Sequence, residues 1–250
     1  GAPTIPETHI RLGKIYREIG ATRMALNKFY DAINATLTLP YNDSFTKAEK
    51  RKGRDFESRK DEESNQAMFE IAETFLQSED FNNAIKFYDR LNRLEQLDDS
   101  DRAVVLYKKA SAHFRRATHN LKKQEKDSSV AKDTTAVSFE QTPRADFARV
   151  KEVLRGYGTL FPSSTYIPET HYLLALAYEH LNQDEESIAE LLNLLREAEF
   201  NPDAFIASEA LKPERDRDTQ KVERMKKIWS FWKKKTGNYL ANKFYEDGEY

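Results

Sequence analysis

Small and apolar residues recur along this chain with helical spacing. Leu12-Gly13-x-x-Tyr16 is followed by Ala25, Phe29 and Ala32, which lie 12, 16 and 19 residues after Gly13. Such spacing on either side of a polar gap predicts two amphipathic helices joined by a short turn. Gly13 and Ala25 have almost no side chain, so the paired helices can approach closely. Tyr16 and Phe29 then fill the space beside that contact. The same ruler finds Ala72, Phe75, Ala84, Tyr88 and Leu91, with Asp80-Phe81 at the turn. It also finds Ala175, Tyr178, Ser187, Leu191 and Leu194, preceded by Leu174. Another copy starts at Ala110, with Leu106 before it and His113 at the aromatic position, and no second helix follows it in register. A last copy opens at Leu240-Ala241-x-x-Phe244. The five copies lie near residues 6–40, 65–95, 103–160, 168–198 and 234–250.

The anchors Gly13, Ala72, Ala110, Ala175 and Ala241 are separated by 59, 38, 65 and 66 residues. The long gaps require inserted loops or helices. Tyr41–Glu63 is highly charged with one apolar anchor, Phe56, and is expected to be a polar helical extension into the second hairpin. Asn120–Arg144 has no apolar periodicity over most of its length and is expected to be a loop. After it, Phe147, Val150, Val153, Leu154 and Tyr157 form one helical face and supply the second helix of copy three. Asn201-Pro202 is expected to break the chain, and Met225, Ile228, Trp229 and Trp232 to mark a further helix. Glu246-Asp247-Gly248-Glu249-Tyr250 reads as the inter-helix turn of the truncated fifth copy. That makes the chain an expected fragment, or leaves an apolar end that could pair with another copy of the chain.

The repeated Gly/Ala, aromatic, Ala/Ser and aromatic positions resemble the tetratricopeptide-repeat family. In a regular array of that family the period is about 34 residues. The resemblance implies an all-α fold: one α-α superhelix over residues 1–250, a solenoid of antiparallel helical hairpins with irregular insertions. The junction Phe161-Pro162-Ser163-Ser164 before the fourth copy is similar to that of BamD-type bacterial outer-membrane assembly lipoproteins.

Composition narrows the function classes. Gly and Pro number eight each in 250 residues, too few for the many turns of an all-β sandwich or barrel. Charged residues reach 33%, which suits helices with wet outer faces. The net charge of −2 gives no global attraction to nucleic acid or to an acidic membrane. With no Cys there is no thiolate metal site and no cysteine nucleophile. No apolar run reaches the length of a membrane-spanning helix.

Chemistry-bearing motifs are sparse. His9, His113, His119, His171 and His180 form no pair four residues apart and no HExxH motif. His9 and His171 share a repeat position that packs inside a hairpin. No phosphate-binding glycine loop and no GxSxG elbow occurs. Gly156-Tyr157-Gly158 reads as a helix C-cap and Asp98-Asp99-Ser100-Asp101 as an N-cap cluster. Lys221–Lys235, with two Trp, reads as a helix with an apolar inner stripe and solvated lysines. The chain is therefore expected to be non-enzymatic, with no catalytic residue, cofactor or metal.

What the resemblance implies is a concave groove lined by the first helix of each hairpin. Carried onto this chain, the groove residues are Ile10, Lys14, Arg17, Phe69, Glu73, Tyr107, Phe114, Tyr172, Leu176 and Glu179. Ile10, Phe69, Tyr107 and Tyr172 hold one repeat position and are expected to form an exposed apolar ladder. The Lys/Asn carboxylate clamp of chaperone adaptors is not matched, because Ile10 and Lys14 stand at its first two positions. The expected function is a scaffold that binds a protein or peptide partner, without nucleic acid. The BamD-type likeness implies the alternative, a structural subunit of a bacterial cell-envelope complex in the periplasm.

Overall fold

A computed structural model describes residues 5–38, 56–127 and 142–246. Among these residues the fold is all-α, with no strand. The chain divides into two compact units, Gly1–Asp98 and Asp99–Tyr250.

The first unit holds α1 (Ile5–Glu18), α2 (Thr22–Thr38), α3 (Phe56–Gln77) and α4 (Phe81–Asn92). α1 pairs with α2, α2 with α3, and α3 with α4. Its core gathers Ile10, Ala25, Phe29, Ala32, Ala67 and Ile71. Gly13 is buried, and a Cβ there would overlap the ring of the fully buried Phe29. Glycine at this point is therefore a packing requirement. Asp80 caps α4 by accepting a hydrogen bond from the Asn83 amide at 3.2 Å.

The second unit holds α5 (Asp99–Asp127), α6 (Pro143–Leu154), a single turn α7 (Tyr157–Leu160), α8 (Ile167–His180), α9 (Asp184–Ala210) and α10 (Thr219–Glu246). α5 packs on α6, α6 on α8, α8 on α9, and α9 on α10. The face Phe147, Val150, Leu154 and Tyr157 is buried, joined by Tyr107, Leu174, Met225 and Trp229. Thr142 caps α6 and Pro143 occupies its first turn, where a missing amide is harmless. Gly156 takes the left-handed conformation after α6, at φ 74°.

One turn is built three times. The residue seven after the anchor is left-handed in each complete hairpin: Gly20 (φ 78°), Glu79 (φ 62°) and Asn182 (φ 60°). The amide that follows reaches back to the aromatic carbonyl: Ala21 to Tyr16 at 2.8 Å, Asp80 to Phe75 at 2.9 Å, Gln183 to Tyr178 at 2.9 Å. These long-range caps satisfy the last carbonyls of the first helix and aim the chain back along it.

Three expectations are corrected. Residues 120–127 are not loop: α5 runs to Asp127, and Leu121 packs on the second unit's core. Pro202 does not break the chain but lies inside α9. The lost amide bond is tolerated because Leu194 and Ala198 hold that helix on buried surface. The stripe Met225–Trp232 and the fifth anchor belong to one continuous helix, α10. Within it Ala241 is exposed whereas Leu240 is buried against Ala175 and Leu191. So this copy packs on the preceding hairpin through Leu240 and Phe244, and its anchor Ala241 faces water. Residues 39–55, 128–141 and 247–250, with the Phe56 side chain, lie outside the described residues; they include the expected terminal turn.

Gly13→Ala and Ala175→Leu should each destabilise the chain by about 1–3 kcal/mol through overpacking. Thermal melts check this: each variant should lose several degrees, and unchanged melting for both would show that these contacts are not close.

Candidate interaction surfaces

The residues assigned to the groove are mostly engaged within their own unit. Ile10 is buried beside Phe29 and Ile71. Lys14 and Arg17 both reach the buried Glu70 carboxylate, at 2.9 and 2.7 Å, and Arg17 also donates to the Glu70 carbonyl at 3.2 Å. Two cations on one buried acid offset its desolvation and tie α1 to α3. Phe69 meets Tyr88 edge-on at 6.1 Å, and the Tyr88 hydroxyl donates to Glu73.

In the second unit Tyr107 is buried and stacked on Tyr166 at 4.3 Å. Phe114 stands edge-on to Phe147 at 5.4 Å. Tyr172 lies against Trp232 and Tyr239, at 5.1 and 5.8 Å, with the Lys235 ammonium 4.4 Å over its ring. Glu179 accepts from the Tyr239 hydroxyl and from Lys243 Nζ at 3.1 Å. Leu176 is half-buried. The exposed apolar ladder is therefore not present: Ile10 and Tyr107 are core residues, and α10 covers Tyr172. An aromatic at this repeat position is as good a helix-packing residue as a binding one, which the spacing alone does not reveal.

Two ionic clusters, one buried and one half-buried, are not foreshadowed by the sequence motifs. Asp146 of α6 accepts from His113 Nδ1 at 2.8 Å and from Arg116 Nε at 2.8 Å. Burial opposes its charge, but these two partners hold its carboxyl below the usual range. His171 of α8 sits between Glu190 and Glu197 of α9, with Nδ1–Oε2 2.7 Å and Nε2–Oε1 3.5 Å. Burial alone would lower the imidazole, yet the two carboxylates outweigh it and raise its pKa to about 9. A signal for this cluster was present: Glu190 and Glu197 are seven apart on one helix face, opposite a histidine already placed inside a hairpin.

His171 lines a cleft of about 470 Å³, walled by Leu154, Tyr157, Thr170, Asn193 and Asn201. With Nδ1 donating to Glu190 and Nε2 facing Glu197, the imidazolium has no lone pair to offer a metal or a proton. Among the described residues no group of three or more His, Asp or Glu side chains is arranged to hold a metal ion. Tyr157 also anchors the Phe161-Pro162 junction. Its hydroxyl donates to the Ala103 carbonyl at 2.8 Å and lies 2.9 Å from Ser164 Oγ. The basic stretch also resolves: Met225, Trp229 and Trp232 are buried, and Lys226, Lys227, Lys233, Lys234 and Lys235 are exposed. No described helix is long and apolar enough to cross a membrane.

The surface that stands out lies on α1. Ile5, Leu12, Ile15 and Ile19 are all exposed, along a stripe opposite the buried Pro6, Ile10 and Gly13. Relative to the anchor, Thr8, Leu12 and Ile15 sit at −5, −1 and +2. In α3 those positions are Ala67, Ile71 and Thr74, and in α8 they are Thr170, Leu174 and Ala177; all six are buried. In α3 and α8 this face receives the second helix of the preceding hairpin, α2 and α6 respectively. In α1 Leu12 is 39% and Ile15 54% exposed. No protein-family model matches the sequence, and no curated protein matches it either.

The His171 cluster carries a pH signature. The folded pKa lies above the unfolded value of about 6.5, so its stabilisation is fully present below that pH and lost as pH rises through about 9. The melting temperature should fall across that window, and His171→Gln should flatten the fall. A wild-type profile that matches the variant's would contradict the pairing.

Proposed function

We propose that this chain is a non-enzymatic scaffold of the tetratricopeptide type, which binds a protein partner by helix packing. The supporting observation is the α1 face: the positions that α3 and α8 bury against a neighbouring helix are bare there, and they carry Leu12 and Ile15. An apolar stripe of this kind on a water-facing helix marks a contact surface. Its width and spacing suit a helix, because the equivalent faces in this chain are covered by helices.

The interior supports the same reading. Glu70 and His171 each lie between two oppositely charged neighbours, Asp146 is held by Arg116 and His113, and Glu179 is tied to α10. Groups spent on holding helices together are not poised for acid, base or nucleophile chemistry. What remains for function is surface, and the partner class is a protein with an amphipathic helix. The concave positions contribute less than the family pattern implies, since the chain's own side chains occupy most of them.

A photoreactive amino acid at position 15, introduced in the cells that make the protein, should yield a discrete protein adduct. Leu12→Asp should abolish that adduct, whereas the same probe at the exposed Arg23 should give none. Equal labelling at both positions, or none at position 15, would contradict the proposal.

A further inference from the structure

The α1 face also specifies what covers it, resting on the reading that this face docks a helix. Ile5, Leu12 and Ile19 recur every seven residues, with Thr8 and Ile15 between them at the alternate spacing. That is the a/d seam of a helix pair. All five positions are exposed, and Ile19 stays in helical register through its amide bond to the Ile15 carbonyl at 3.2 Å. One edge of the seam carries Arg11 and Glu18, both water-facing, of opposite sign and seven residues apart.

We infer that a second copy of this chain docks on α1, the two helices running antiparallel about a two-fold axis near residues 13 and 14. In that arrangement Leu12 of each copy meets Ile15 of the other, and Ile19 meets Thr8. Arg11 of each copy then stands beside Glu18 of the other, so two symmetric ion pairs line that one edge of the seam. A two-fold contact needs a surface complementary to itself, and this edge meets that condition only when the helices are antiparallel. Running parallel, Arg11 would face the Tyr16 edge and the complementarity would vanish. Arg11 now holds Glu7 of its own helix at 2.6 Å with its side chain 65% exposed, so it is free to turn outward. The seam is short, which fits a reversible dimer.

Sedimentation equilibrium of the full chain at low ionic strength tests this with a charge swap. Wild type should show a concentration-dependent dimer. Arg11→Glu and Glu18→Arg each place like charges at both contacts along that edge and should weaken self-association roughly tenfold or more. Mixing the two variants one to one should restore the dimer, because both edge positions of the first variant are then acidic and both of the second are basic. Both sites are on the surface, and circular dichroism confirms that the variants fold. A wild-type monomer at the highest attainable concentration overturns the inference. So does a dimer indifferent to Leu12→Asp, or a mixture that stays monomeric. None of these outcomes touches an adduct formed at position 15 with a different protein, so failure of the self-docking and failure of the docking face are separable.

Discussion

Everything in this fold depends on how closely the two helices of a hairpin approach. At Gly13 the approach is so tight that the Phe29 ring occupies the space a Cβ would need. Ala72, Ala110 and Ala175 are fully buried at the matching positions. The approach is set by two local devices that travel together: the small anchor, and a left-handed residue seven positions later whose following amide caps the aromatic carbonyl. One permits contact and the other aims the returning helix. Because both recur in register, each complete hairpin presents the same faces, and stacking follows from burying them.

The charged interior is the second consequence. Helices that pack through small residues leave side pockets where longer residues meet, and this chain fills several with ions. Glu70 between Lys14 and Arg17, Asp146 between His113 and Arg116, and His171 between Glu190 and Glu197 all join one helix to another. Removing the partners of Glu70 or Asp146 would strand a buried charge, which is far costlier than an apolar pair is to make. Such clusters specify which helices pair. They also explain why conspicuous histidines and acids imply so little chemistry here.

The fold was largely legible because its rule is local. Small residues at fixed offsets, Asp80 before α4 and the polar break before α6 are all visible in the letters. Pro202 misled because a proline's local penalty is overridden when Leu194 and Ala198 anchor the helix. Residues 120–127 misled because Leu121 is a single apolar contact in a charged run. The site was less legible. The family pattern marks Tyr107 and Tyr172 as groove residues, but only the packing shows that Tyr166 and α10 lie on them. Conversely, Ile5, Leu12, Ile15 and Ile19 carry an evident heptad, which is masked because Leu12 sits where later copies have core residues.

One repeat register governs α1, α3 and α8, and α1 alone among them bares the face carrying Leu12. The absence of cysteine makes this directly measurable. Single cysteines at Leu12, Ile71 and Leu174 place a thiol at the same register position in α1, α3 and α8. Their labelling rates should be read with a soluble maleimide at high dilution, under native conditions. Labelling at position 12 should be rapid, near the rate of the unfolded chain, and positions 71 and 174 should be strongly protected. Comparable protection at all three positions would contradict it.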